Sequence, residues 1–210
     1  YFEDSVYDNT IIDGEMIKPP HTKDNIYLFM SFDLVCVCGV NIKKNKLTER
    51  LSELHKLLST KYNPKSNIKV HMKKFFDVKQ IDSAINTMNK YYPSDGLIFT
   101  PVDLAVQENT HYTLLKWKPN DTIDFVIESS GDTKYLSLTN LTDKTAKKIQ
   151  KVVTPLDDGV IVECEYVDSE WIPNKPRPDK DRPNTTMTLE RTMITINDKI
   201  TLDTIKEIIK

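Results

Sequence analysis

Glycine is scarce, with five in 210 residues. A Gly-rich phosphate loop, in which backbone N–H groups crowd around a phosphate, therefore has no support here. Cysteine is scarcer still: Cys36, Cys38 and Cys164. An odd count argues against a secreted disulfide framework, and no second pair stands at zinc-ligand spacing. Cys36 and Cys38 lie two apart on an apparent strand, and all three read as reduced packing residues of an intracellular protein. Long apolar runs are also missing. The longest, Ile26 to Ile42, is broken by Asp33 and Asn41, so it reads as a buried strand and falls short of the roughly 20 apolar residues of a membrane span. Neither sign of charge dominates: 29 Lys and Arg face 31 Asp and Glu, for a net charge of -2. A protein that binds nucleic acid over its whole surface is far more basic. Phosphate chemistry would have to come from a few cations focused into a cleft. The four histidines, His21, His55, His71 and His111, show no metal spacing and no neighbouring nucleophile motif.

What is present suits a globular protein, with 39% hydrophobic and 29% charged residues. That length holds one large core or two modest domains. Thr10 to Ile17 alternates around Asp13-Gly14-Glu15, and Pro19-Pro20 stops the strand. Asn25 to Val40, rich in aromatic and β-branched residues, reads as a buried strand. Leu47, Leu51, Leu54 and Leu58 recur at helical spacing, Ser59 to Asn67 is a polar turn, and Ile68 to Phe76 reads as a strand. Ile81, Ala84, Ile85 and Met88 mark a second amphipathic helix, closed off by Pro93. Strands follow at Gly96 to Val102, His111 to Trp117 and Thr122 to Glu128. This order predicts an α+β domain on antiparallel sheet. Beyond it, short strands at Tyr135 to Leu138 and Gly159 to Tyr166 alternate with turns, as in a small β-barrel. Prolines make Trp171 to Asn184 a stiff exposed loop, and Leu202 to Lys210 reads as a helix.

Five segments carry candidate chemistry: Ile12-Asp13-Gly14-Glu15, Tyr27 to Asp33, Ser94-Asp95-Gly96-Leu97-Ile98-Phe99-Thr100-Pro101, Leu114-Leu115-Lys116-Trp117-Lys118-Pro119, and Arg177-Pro178-Asp179-Lys180 with Pro183-Asn184. If Lys116 and Lys118 alternate on a strand, both ammonium groups face one side and Trp117 the other. Two converging cations can stabilise charge developing on a phosphate. Asp95 precedes Gly96 at a strand start, where a small neighbour admits a ligand. Taken singly, each segment is ordinary turn, core or solvated-strand sequence.

Taken in order, from about Ile12 to Asn184, the set resembles the mRNA capping guanylyltransferases, a branch of the covalent nucleotidyltransferases that includes nucleic-acid ligases. DGLIFTP, LLKWKP and RPDK with PN point to capping enzymes rather than ligases. The resemblance implies an α+β fold: an antiparallel-sheet nucleotidyltransferase domain of ligase-like (ATP-grasp) type over residues 1–121 and an OB-fold β-barrel over 122–188. Residues 189–210 would be a helical segment or a linker to a following domain. It implies that a lysine attacks the α-phosphorus of GTP, releases pyrophosphate and passes GMP to the 5′-diphosphate end of RNA, with Mg²⁺ or Mn²⁺.

By resemblance, Lys116 and Lys118 contact the α-phosphate, and Asp95 lies near it and the metal. Glu15 binds the ribose hydroxyls, and Phe32 stacks on guanine. Lys73 reads the guanine oxygen, with Lys74 the alternative one residue away. Arg177 and Lys180 grip the β- and γ-phosphates beside Asp179, and Asp124 lies near the triphosphate or the closing barrel. The attacking lysine belongs to a Lys-x-Asp-Gly segment ahead of the Asp-Gly-Glu motif, and no such segment occurs in the chain. Two explanations stay open. One is a piece of a longer enzyme, as the opening Tyr1 also suggests. The other is a non-catalytic GTP- or RNA-binding scaffold of a capping complex. RNA triphosphatase and cap methyltransferase domains are expected in the same polypeptide or complex. The Pro-Arg-Pro-Asp-Lys spelling resembles the multifunctional enzymes of large DNA viruses.

Overall fold

The computed structural model describes residues 7–19, 26–59, 67–88, 90, 94–109 and 111–209. Tyr1, Pro20, His21, Pro93 and most of the predicted 59–67 turn lie outside them. The strands are β1 (Ile11–Ile17), β2 (Tyr27–Val37), β3 (Val40–Asn41), β4 (Ile68–Met72), β5 (Leu97–Phe99), β6 (Leu115–Trp117), β7 (Thr122–Ser130), β8 (Thr133–Thr139), β9 (Ala146–Val152), β10 (Ile161–Val167) and β11 (Glu170–Pro176). The helices are α1 (Leu47–Leu58), α2 (Ile81–Thr87), α3 (Thr186–Asp198) and α4 (Leu202–Ile209). None is long and apolar enough to cross a membrane among the described residues. The chain divides into two compact units, Tyr1–Trp117 and Lys118–Lys210.

In the first unit β2 is the central strand. It pairs antiparallel with β1 and β3, and parallel with β4, so the expected antiparallel sheet carries one parallel pair. The core lies under it, where Leu34, Ile42, Leu54 and Leu57 are buried. Leu54 and Leu57 come from the inward stripe of α1, as the leucine spacing predicts. Arg50, on the same helix, is only 2% exposed. Its guanidinium meets the Asp33 carboxylate through two bonds of 2.7 and 2.9 Å, and it donates to the carbonyls of Asn45 and Leu104. A buried charge needs this degree of pairing, and breaking it costs about 3–5 kcal/mol. Arg50 thereby fastens the segment after β5 to helix α1 and to β2. Strands β5 and β6 form a separate antiparallel pair.

Two bulges interrupt β2. Its register against β1 skips Phe32, between the pairs Asp13–Asp33 and Gly14–Ser31, and skips Val35. A bulge turns a side chain out of strict alternation, which is why the buried positions of β2 fall at Leu28, Ser31 and Leu34. Gly14 stands at the Phe32 bulge. A Cβ there would come within 2.6 Å of the Phe29 ring and 2.9 Å of the Met30 carbonyl oxygen. Only glycine lets β1 approach β2 so closely.

The second unit is a five-stranded antiparallel sheet in the order β11-β10-β7-β8-β9. Ile123, Phe125 and Ile127 alternate along β7 into a core with Leu136, Leu138, Val162, Cys164 and Trp171. The Trp171 ring tilts against Phe125 at 5.3 Å and Tyr166 at 5.0 Å. From α3, Leu189, Met193 and Ile196 pack against the same cluster.

The expected β-barrel is not closed by main-chain pairing among the described residues: β9 and β11 end the sheet on opposite sides. The sheet curls until one side chain bridges them. Gln150 of β9 donates through Nε2 to the Trp171 carbonyl at 2.9 Å, and its Oε1 accepts from the Trp171 N–H at 2.8 Å.

Three further expectations give way. The stretch from Trp171 to Pro176 is strand β11, not loop. Its prolines are tolerated because β11 is an edge strand with a bulge opposite Glu163 and Cys164. Strand β9 has no counterpart among the predicted strands because Ala and Lys, which dominate it, have low strand preference. The isoleucines from Ile194 onward belong to helix α3 and its continuation as well as to the short helix at the end.

Candidate functional site

Glu15, Phe32 and Lys73 come together on the first unit's sheet. Glu15 lies on β1 opposite Met30 of β2, and Met30 pairs on its other side with His71 of β4. Lys73 follows β4 directly, and its backbone N–H donates to the Ser31 carbonyl at 2.8 Å. That bond carries it alongside the Phe32 bulge. Its Nζ donates to Glu15 Oε2 at 2.8 Å and stands 5.2 Å from the centre of the Phe32 ring. One aromatic face, one carboxylate and one ammonium thus share a patch on adjacent strands. It is Lys73, rather than Lys74, that joins Glu15 and Phe32. The arrangement offers a stacking surface, an acceptor and a donor to a flat heteroaromatic group.

Asp95 and Lys116 meet at the β5–β6 pair. Lys116 Nζ is 3.2 Å from Asp95 Oδ2, and both side chains are exposed. Gly96 between Asp95 and β5 has φ 147°, a value that side chains resist. Strand β6 ends at Trp117, so Lys118 is not a strand residue. The expectation that alternation points Lys116 and Lys118 to one side fails for this reason. Lys118 belongs to the second unit, where it neighbours Asp121. Burial raises the Asp121 carboxyl above its ordinary value, and Lys118 opposes that rise.

In the second unit Arg177 is a hub. Nε and Nη2 form a fork with Asp179 at 2.9 and 2.8 Å, while Nη1 donates to Asp124 at 3.2 Å and to Glu163 at 3.0 Å. Asp124 and Glu163 are directly paired residues of β7 and β10. Like charges placed opposite each other repel, and the guanidinium between them removes that penalty. The fork holds Asp179 at about 2, well below the usual carboxylate range, chiefly through its hydrogen bonds to Arg177. The three carboxylates in turn raise Arg177 further from deprotonation, with Asp179 foremost. Asn184 pins the following loop: its Oδ1 accepts from the Asp124 N–H at 2.8 Å, and its own N–H donates to the Asp124 carbonyl at 2.7 Å. Lys180 is exposed and forms no ion pair among the described residues.

Sequence reasoning does not single out Glu163, Arg50 or Gln150. Glu163 is legible only through the register that sets it against Asp124. Among the described residues no group of three or more His, Cys, Asp or Glu side chains is placed to hold a metal ion.

A two-unit α+β protein with these clusters can be compared with known families. The model for the mRNA capping enzyme catalytic domain matches residues 2–120, and that for the mRNA capping enzyme C-terminal domain matches residues 95–206. The chain belongs to the mRNA capping enzyme family. Among its relatives, the mRNA-capping enzyme of Danio rerio is 25% identical over 201 residues, covering 84% of this chain and 33% of that protein. The mRNA-capping enzyme subunit alpha of Schizosaccharomyces pombe is 26% identical over 246 residues, covering 95% of this chain and 60% of that protein. The corresponding subunit of Kluyveromyces lactis is 30% identical over 142 residues, covering 58% of this chain and 30% of that protein. The chain thus spans between 30% and 60% of the length of these relatives.

Proposed function

We propose that this chain is the GTP-binding and phosphate-handling part of an mRNA 5′-cap guanylyltransferase, which transfers GMP to the diphosphate end of RNA. The observation that carries the reading is the Glu15–Lys73–Phe32 patch, in a chain that matches both capping-enzyme models. Guanine stacks on Phe32 and its oxygen accepts from Lys73. The ribose hydroxyls donate to Glu15. Base-on-aromatic stacking contributes about 1–3 kcal/mol.

Lys116 and Lys118 neutralise charge growing on the α-phosphate during in-line displacement, where positioning and electrostatics dominate. Mg²⁺ or Mn²⁺ would be held by Asp95 together with phosphate oxygens. A single carboxylate fits this role, because Mg²⁺ is usually held by one or two carboxylates and the substrate's phosphates, with no protein cage. Bound there, the ion supplies Lewis-acid neutralisation of the phosphates. Lys180 is available to the β- and γ-phosphates as it stands. Arg177 must first exchange a carboxylate, most readily exposed Asp179, for a phosphate oxygen, since both offer its fork the same bidentate geometry. The curled sheet of the second unit is the OB-fold domain of the family, closing over the nucleotide. No Lys-x-Asp-Gly occurs in these 210 residues, so the attacking lysine is supplied from outside them. The setting is intracellular, with triphosphatase and methyltransferase activities in the same polypeptide or complex, and the Pro-Arg-Pro-Asp-Lys spelling is that of the large-DNA-virus enzymes.

The test is nucleotide binding by this chain and GMP-adduct formation by the full-length protein that carries it. GTP should bind in preference to ATP, and Lys116→Ala or Lys118→Ala should nearly abolish the adduct with the fold intact. An AMP adduct would make the protein a ligase. GTP binding with no adduct in the full-length protein would make it a scaffold.

A further inference from the structure

We infer that the β8–β9 edge of the second unit is a contact surface for the backbone of single-stranded RNA, carried by Lys144, Lys147, Lys148 and Lys151 with Tyr135. This rests on the guanylyltransferase reading, which makes RNA the polymer at hand. The chain as a whole has a net charge of -2, yet residues 144–151 hold four lysines and no acid. All four side chains are exposed, and none enters an ion pair among the described residues. Other surface lysines here are matched, as Lys43, Lys46 and Lys56 are to Glu108, Asp103 and Glu53. Leaving one strand's cations unmatched concentrates positive potential where a polyanion can exchange it for counterions.

The register adds direction. Tyr135 of β8 pairs with Lys151 of β9, and the Lys148 ammonium stands 4.6 Å from the centre of the Tyr135 ring. The skipped residue on β9 is Ile149, which puts Lys148 and Lys151 on the same side as Tyr135. Cations interleaved with an aromatic ring on a curled antiparallel sheet are what a sequence-tolerant single-strand site requires, phosphates on the lysines and a base on the ring. Edge strands also carry lysine simply to discourage pairing with other chains. That need is smaller here, because Gln150 already ties β9 to Trp171 of the opposite edge.

The experiment measures binding of a labelled short single-stranded RNA to the full chain over a series of KCl concentrations, with GTP binding measured alongside. Lys147→Gln, Lys148→Gln and Lys151→Gln combined should weaken RNA binding by about tenfold or more, and should flatten the salt slope by about 0.7 for each phosphate no longer neutralised. Tyr135→Ala should weaken it further, and Tyr135→Phe should not. GTP binding should be unchanged in every variant. Unchanged RNA affinity and slope in the triple variant overturn the proposal, and do so equally if that variant self-associates, since the lysines then only guard an edge. A phosphorylated acidic peptide or phosphatidylserine vesicles binding as tightly through the same lysines also overturn it. If the wild-type chain binds RNA through these lysines but does not bind GTP, the RNA surface stands and the guanylyltransferase reading falls.

Discussion

Lys73 and Glu15, 58 positions apart in sequence, meet at 2.8 Å across the width of strand β2. The pair is partly exposed, 33% and 61% for the two side chains, so its direct contribution to stability is small, about 0–1 kcal/mol. Its value lies in holding both groups beside Phe32. Lys73→Met should therefore leave the melting temperature within a few degrees of wild type while lowering GTP affinity by about tenfold, the loss expected of one charged hydrogen bond. Calorimetric titration with GTP and ATP checks this. Loss of GTP affinity with equal loss of melting temperature would mean the pair is only structural.

Gly14 gives a sharper test of the same patch. Its missing side chain lets the Asp-Gly-Glu segment lie against Phe29 and the Met30 carbonyl. The nearest of these atoms is ring, which can rotate, but the carbonyl oxygen at 2.9 Å is main chain and cannot yield cheaply. Gly14→Ala should destabilise the first unit by about 1–3 kcal/mol, as overpacking does. It should also weaken GTP binding, because Glu15 moves with the strand. Thermal melts with and without GTP separate the two effects.

Much of this is legible in the sequence where a side chain's role is local. The leucine spacing of α1 and the alternation of Ile123, Phe125 and Ile127 mark the inward faces without any structure. The motif segments around Glu15, Lys73 and Asp95 predict residues that do cluster. What fails are inferences that carry alternation too far. Lys118 lies past the end of β6, and Phe32 occupies a bulge, so a simple period of two describes neither. Strand β9 stays hidden because lysine has little intrinsic preference for strand, and its place comes from Gln150 and from pairing with β8. Glu163 and Arg50 act through residues 14 to 53 and 17 to 54 positions away, and no local pattern announces such partners.

The Arg177–Asp179 fork sets a pH dependence. The Asp179 carboxyl is depressed to about 2 by its hydrogen bonds with Arg177. A depressed carboxylate stabilises the folded state at pH values above its unfolded value, and that contribution disappears as pH falls from about 4 toward 2. Carbon-detected NMR titration should place Asp179 near the lower figure in wild type. Arg177→Ala should return it toward the ordinary range. If it titrates normally in wild type, the fork is open in solution and Arg177 is free for phosphate without any exchange.

Cys164 behaves in the opposite sense. It is completely buried, and burial, followed by the nearby Asp124 and Glu163 carboxylates, pushes its thiol up to about 12. The neutral thiol is the stable form, so this contribution is intact below the ordinary thiol value and fades as pH rises toward 12. At mildly alkaline pH a thiol reagent should label exposed Cys38 quickly and leave Cys164 untouched until the second unit unfolds, when the two should react at similar rates.

Gln150 is the one side chain that spans the gap between the outer strands β9 and β11, and it satisfies both main-chain groups of Trp171. Gln150→Leu keeps much of the volume but strands a donor and an acceptor, so it should cost about 1–3 kcal/mol. Gln150→Glu keeps the acceptor for the Trp171 N–H and loses the donor, and should fall between. The loss should appear as a lower denaturant midpoint for the second unit, with Trp171 fluorescence as the reporter and the first unit's transition unmoved. An unchanged midpoint in Gln150→Leu would show that the curl of the sheet is held by the Phe125–Trp171–Tyr166 packing alone. The amide would then be filling the gap without closing it.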